Sequence, residues 1–125
     1  MGDDLYAGGT FTQIGGQTIS SLARWDGSKW HPVGEPLSLG DGPPPVVTDI
    51  VPYEGGLFIT GTFHRAGAAL TRRLAWYDGQ KLVELGGGLS DLGESLLVQD
   101  DKLFVGGTFL TAGDRVSSGI ALWQL

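Results

Sequence analysis

The chain has 125 residues, 41% hydrophobic and 18% charged, with 22 glycines and no cysteine. Glycine at more than twice its usual share of about 7%, without a three-residue period, excludes collagen, and the apolar fraction excludes wholesale disorder. Without cysteine there is no disulfide framework, thiol nucleophile or cysteine-ligated metal, and a formal charge of −6 argues against nucleic acid as a partner. No apolar run approaches the ~20 residues of a membrane span. The start, Met1-Gly2-Asp3-Asp4, does not read as a signal peptide.

Strand signals follow one another along the chain. The first are Leu5–Phe11 and Leu22–Trp25, then Asp26-Gly27 and a short run from Trp30. After a glycine- and proline-rich insertion at Leu39–Pro45 come runs near Thr48–Val51, Leu57–Phe63, Leu74–Tyr77 and Leu82–Leu85. The last pair is Leu103–Phe109 and Ile120–Trp123. Glycine punctuates the chain too often for helices of ordinary length. From Glu94 to Val105 the triplet Asp100-Asp101-Lys102 interrupts any helical stripe, so a turn between two strands is expected there. Asp26-Gly27 and Asp78-Gly79 are expected to form two-residue type I′ hairpins. Glu54-Gly55-Gly56 is expected to turn another.

The runs repeat. Leu5-Tyr-Ala-Gly-Gly-Thr-Phe11 matches Leu57-Phe-Ile-Thr-Gly-Thr-Phe63 and Leu103-Phe-Val-Gly-Gly-Thr-Phe109, at spacings of 52 and 46 residues. In each unit an aromatic follows the phenylalanine by 14 residues: Trp25, Tyr77 and Trp123. The units run at about 1–46, 47–92 and 93–125 of a single 1–125 domain, and the complete middle one holds four strands, A to D. Leu57, Ile59 and Phe63 point one way and Phe58 the other, while Ala75 and Tyr77 oppose Leu74 and Trp76. A sheet with one wet face would alternate apolar with polar, so these sheets are expected to be covered on both sides. The fold class read from this is all-β, with four-stranded antiparallel sheets as the blades of a β-propeller. The glycines at Gly8-Gly9, Gly61 and Gly106-Gly107 fit close approach between neighbouring blades.

The stretch LYAGGTFTQIGGQTISSLARWDGSKWHPVG resembles kelch-like bacterial repeats of the type VGGTFT…IARWDGSSWSPLG. Related stretches occur in large secreted or surface proteins and in the polarity-marker family of fungi, which implies an extracellular or cell-surface setting. The middle unit departs from the pattern at Thr60, Tyr77 and Leu82, so that blade is expected to pack differently. The copper chemistry of kelch oxidases needs a cysteine-modified tyrosine, and this chain has no cysteine and only His31 and His64. Ten strands make two and a half to three blades, whereas a closed propeller has four to eight. Such a wedge is expected to close by homo-oligomerisation, two chains giving six blades. The alternative is a piece of a longer propeller.

No catalytic motif, metal-ligand spacing or cofactor site is present, and a non-enzymatic module is expected. His31 and His64 fall at different positions of their units, and Asp100-Asp101 lacks the spacing of a calcium loop. Asp26 and Asp78 read as turn formers. The three lysines lie on the turn side of the units, whereas four of the five arginines lie in or beside the B–C loops. Arginine suits bidentate recognition of carboxylate or phosphate. The candidate binding face is therefore Gln13, His64, Arg65, Arg72, Arg73 and Arg115, with Asp41 in the insertion; the bland alternative is solvated arginines balancing Glu35, Asp91, Glu94 and Asp114. The function expected is a self-assembling scaffold or binding domain for a protein or extracellular polymer. A carbohydrate-binding lectin is the second reading. It would need exposed aromatics, and Trp25, Trp76 and Trp123 fall inside strands.

Overall fold

A computed structural model describes residues 4–39 and 43–125. The described chain is all-β, without a helix. The first antiparallel sheet runs β1 (Leu5–Gly8), β2 (Leu22–Trp25) and β3 (Trp30–Pro32), followed by a short β4 (Leu37–Ser38). Next come β5 (Val47–Tyr53) and β6 (Gly56–Gly61), a small hairpin of β7 (Arg65–Ala66) and β8 (Ala69–Leu70), then β9 (Leu74–Tyr77) and β10 (Leu82–Glu84). Strands β5, β6, β9 and β10 pair in that order as the second sheet, and β4 joins the small hairpin through β7. The third sheet is β11 (Gly93–Gln99), β12 (Lys102–Gly107) and β15 (Ile120–Gln124), with a second small hairpin of β13 (Thr111–Ala112) and β14 (Arg115–Val116) between the last two.

The two-sided pattern of the strands sets where the cores lie. Leu57, Ile59, Ala75 and Tyr77 face the first sheet, in a cluster with Leu22, Val33, Leu37 and Phe63. Their neighbours Phe58, Leu74 and Trp76 face the third sheet, in a cluster with Leu103, Val105, Phe109 and Ala121. Period-2 alternation puts successive side chains on opposite faces, so one strand supplies both cores. Hydrogen bonds tie the sheets as well. Val47 N donates to Gly9 O (3.1 Å) between the first and second. Between the second and third, Thr48 Oγ1 donates to Gly93 O (2.6 Å) and Leu96 N donates to Asp49 Oδ2 (2.8 Å).

The turns differ from the sequence expectation. Glu54 and Gly55 both have positive φ, 43° and 79°, between the paired Tyr53 and Gly56. Asp100 and Asp101 do the same at 53° and 58°, between Gln99 and Lys102. These are the two-residue hairpins with positive φ at both central positions. Asp26-Gly27 and Asp78-Gly79 are not. Each opens a four-residue loop, between the pairs Trp25–Trp30 and Tyr77–Leu82. Only the glycines there have positive φ (102° and 104°). Asp26 Oδ1 accepts from Ser28 N (2.8 Å) and Lys29 N (2.9 Å), and Asp78 Oδ1 accepts from Gln80 N and Lys81 N in the same way. These side-chain bonds, an Asx-turn, add to one backbone contact across each loop, Asp26 N to Lys29 O and Asp78 N to Lys81 O, both 3.2 Å.

The repeated glycines also divide by role. A Cβ on Gly8 would stand 2.5 Å from Val47 Cγ1 of the next sheet, a close approach between sheets. Gly61 and Gly107 instead lie against Val46 O and Leu92 O, which lead into the strand beside them in their own sheet. A further repeated feature is a left-handed corner just before β2, β9 and β15, one in each unit. Ser21, Arg73 and Gly119 have φ of 70°, 72° and 77°. Their amides donate to Phe11 O, Phe63 O and Phe109 O, and their carbonyls accept from Gly9 N, Gly61 N and Gly107 N. Gly119→Ala is expected to lower stability by about 1 kcal/mol, because a Cβ is strained in that conformation. Phe63→Ala, at a fully buried position, is expected to cost roughly 3–5 kcal/mol. Phe11→Ala should cost less, Phe11 being only half-buried. Urea unfolding of the three variants checks this ranking.

Candidate functional site

The loop from β6 to β9 gathers four of the candidate residues. Its base is closed by His64 O, which accepts from Thr71 N (2.8 Å) and Arg72 N (3.1 Å). The left-handed corner at Arg73 turns its side chain back beneath the loop. There Nη2 meets His64 Nε2 at 2.9 Å and Nη1 donates to Leu89 O at 2.9 Å. Guanidinium has only donors, so His64 Nε2 accepts and the imidazole is neutral, with its proton on Nδ1. Burial, and then the charge of Arg73, push the His64 pKa below its ordinary value. Thr71 Oγ1 lies buried beside this base with no hydrogen-bond partner among the described residues.

The other arginines are engaged differently. Arg72 is half-exposed, with Nε 2.8 Å from Glu84 Oε2 on β10, an ion contact whose angles do not make an aligned hydrogen bond. Glu84 was not among the expected partners of the arginines, since its place in a strand gave no sign that it reaches the loop. Arg65 is exposed, and its Nη1 donates to Ala68 O (3.0 Å) within its own hairpin. Arg115 is exposed on β14 in the equivalent hairpin of the next unit, and Gln13 is exposed in the corresponding loop of the first. Asp41 lies outside the described residues. The structure thus joins His64 directly to Arg73, places Arg72 and Arg65 in the same loop, and puts Gln13 and Arg115 on the equivalent loops of the first and third units.

The turn end carries acids of its own. Asp26 Oδ2 is 2.6 Å from His31 Nε2. That contact, followed by the amides of Lys29 and Ser28, holds the Asp26 carboxyl well below the usual carboxylate range. The amides of Lys81 and Gln80 lower the Asp78 pKa likewise. Arg24 pairs with Asp4 at 2.9 Å. No three His, Asp or Glu side chains converge among the described residues.

The tryptophans pack on neighbours. Trp25 lies 5.3 Å from Trp30, and Trp76 lies 4.7 Å from Phe58, between ring centres. Gly86 leaves room for the Trp123 indole.

Exposed large apolar side chains occur on or beside the small hairpins (Leu70, Leu110 and Val116) and on the two outer sheets. Repeat-equivalent positions differ sharply there. Leu5 is 62% exposed, whereas Leu57 and Leu103, at the same place in their units, are 2% and 0% exposed. Ile120 is 62% exposed, against 3% for Leu22 and 0% for Leu74. Leu97 and Leu122 are also exposed. Along the pairing register Leu97, Phe104 and Leu122 form one row across the third sheet. No family model matches the chain, and no curated protein or solved structure matches it.

A neutral, half-buried His64 has a definite consequence for pH. Its folded pKa is below the ordinary 6.5, so the unfolded chain takes up the proton first. Stability present above pH 6.5 is then lost as the pH falls toward the folded pKa. His64→Gln, which keeps an acceptor for Arg73, should flatten the decline in stability just below pH 6.5 relative to the unsubstituted chain. Chemical unfolding from pH 5 to pH 8 reads this, and identical slopes for the two proteins would contradict it.

Proposed function

We propose that the chain is a non-enzymatic repeat module of β-propeller type, each main sheet a blade, that works by assembling with its own copies. It then serves as a scaffold or binding domain for a protein or extracellular polymer. The observation that carries this reading is the contrast at equivalent positions: Leu5 and Ile120 are exposed where their counterparts in the other units are core. An apolar face of that kind on an outer sheet calls for a covering partner. Two chains with three sheets each supply six blades, within the four to eight of a closed ring.

The fixed apolar relations between sheets support blade-like stacking, as does the resemblance to kelch-like repeats. The loop end suits recognition, because loops held on a rigid scaffold tolerate variation and gather binding residues. Arg65 and Arg115 are exposed there and suit carboxylate or phosphate groups of a ligand. Arg73 and His64 hold the loop in shape rather than offering themselves to a ligand.

Light scattering coupled to size exclusion tests the assembly. The expected mass at micromolar concentration is twice the 13.2 kDa of one chain or a higher multiple. A stable 13.2 kDa species across that range would overturn the reading.

A further inference from the structure

Resting on that assembly reading, we infer that the contact between copies has a direction. The outer face of the third sheet of one copy seats on the outer face of the first sheet of the next, head to tail. The occupant of each exposed face is a second copy of this chain, because the chain itself contains both halves of the contact, used internally.

The rows of side chains carry this. On the second sheet, Leu57, Tyr77 and Leu82 form a register row facing the first sheet. On the third, Leu103 and Trp123 form the same row facing the second. The corresponding row of the first sheet, Leu5, Trp25 and Trp30, is its outer face. The opposite kind of row is Val51, Phe58 and Trp76 on the second sheet, packed toward the third. Its counterpart is Leu97, Phe104 and Leu122 on the outer face of the third sheet. Between the second and third sheets a row of the second kind meets a row of the first kind, and Trp76 and Leu103 belong to one apolar cluster. The two outer faces are one of each kind. Pairing unlike faces reproduces a contact the chain already makes. Pairing like faces would bring together two rows that never meet inside it.

One internal element need not be supplied by the partner. Gly67 lies beneath Glu35, and Gly113 beneath Gly86 O, both from the preceding unit. The equivalent Gly15 lies beneath Trp30 of its own unit, with the indole Cδ1 2.5 Å from where a Cβ would be. Trp30 stands beside the Asp26–Lys29 turn, so the Gly15 loop reaches down over this end of the outer row, and a docking third sheet meets a first sheet already partly covered by its own loop. The contact is heterologous, and it forms a ring when the rotation between copies closes.

Because the chain has no cysteine, single cysteines report the contact without interference. Leu5→Cys and Leu122→Cys mark the two faces, at positions equivalent to Leu103 and Trp76. Both sites are exposed in the single chain, so folding should survive, and the mass of each variant by light scattering shows that it still assembles. Each variant alone, and a one-to-one mixture exchanged to equilibrium, is treated with a short bismaleimide. The expected result is a covalent dimer in the mixture and none in either variant alone. A covalent dimer from either variant alone means like faces meet and overturns the direction while leaving assembly intact. Assembly without cross-linking in any sample places the contact elsewhere and also overturns it. If the unsubstituted chain stays monomeric, the assembly reading fails and this inference fails with it.

Discussion

The second and third sheets of this chain are apolar on both faces, and a sheet of that kind is stable only between two others. Antiparallel sheets often leave one face to water and alternate apolar with polar side chains accordingly. Here Leu57 and Ile59 serve one core while Phe58, between them, serves the other. The second sheet meets the requirement with its two neighbours. The first and third sheets each have one neighbour among the described residues, and their outer faces hold the exposed Leu5, Leu97, Ile120 and Leu122.

The stack is fixed by more than burial. Thr48 and Asp49 at the start of β5 reach across to Gly93 O and Leu96 N, setting how far one sheet slides along the next. Hydrogen bonds of this sort add modestly to stability, about 1 kcal/mol each, but they fix register in a way that apolar contact does not. Gly8 and Gly93 let the strands come close, Gly93 fitting against Thr60 of the second sheet. Thr60, one of the departures from the repeat pattern, donates to Arg73 O at 2.7 Å. The middle unit thereby ties its loop corner to the strand it leaves. The same corner directs Arg73 toward His64 and Leu89, so the packing of the sheets and the shape of the loop depend on one another.

Much of this was legible in the sequence, for a physical reason. Side chains alternate strictly along a strand, so the apolar residues at 57, 58 and 59 already state that both faces are covered. The constant spacing from phenylalanine to the later aromatic states that the same pairing recurs. Other features left no trace. The left-handed corner holds serine, arginine and glycine in its three occurrences, so a repeated backbone geometry hides behind unlike letters. The small hairpins β7–β8 and β13–β14 are too short to show an alternation. The Asp-Gly pairs carried the right residues for a tight hairpin, yet the aspartate side chain captured two amides and widened the loop. At the candidate site, the gathering of arginines in the loops was visible. Which of them turns inward was not, because Arg72 and Arg73 are adjacent and alike in sequence and separate only through the backbone.

The central claim is that the outer sheets depend on a neighbour that the single chain does not supply. Amide hydrogen exchange followed across protein concentration tests it most directly. The strands β6 and β9 should be protected at every concentration, while protection in β1, β2, β12 and β15 should rise as the protein is concentrated. Outer strands as protected as the middle ones at the lowest concentration, and unchanged thereafter, would contradict it.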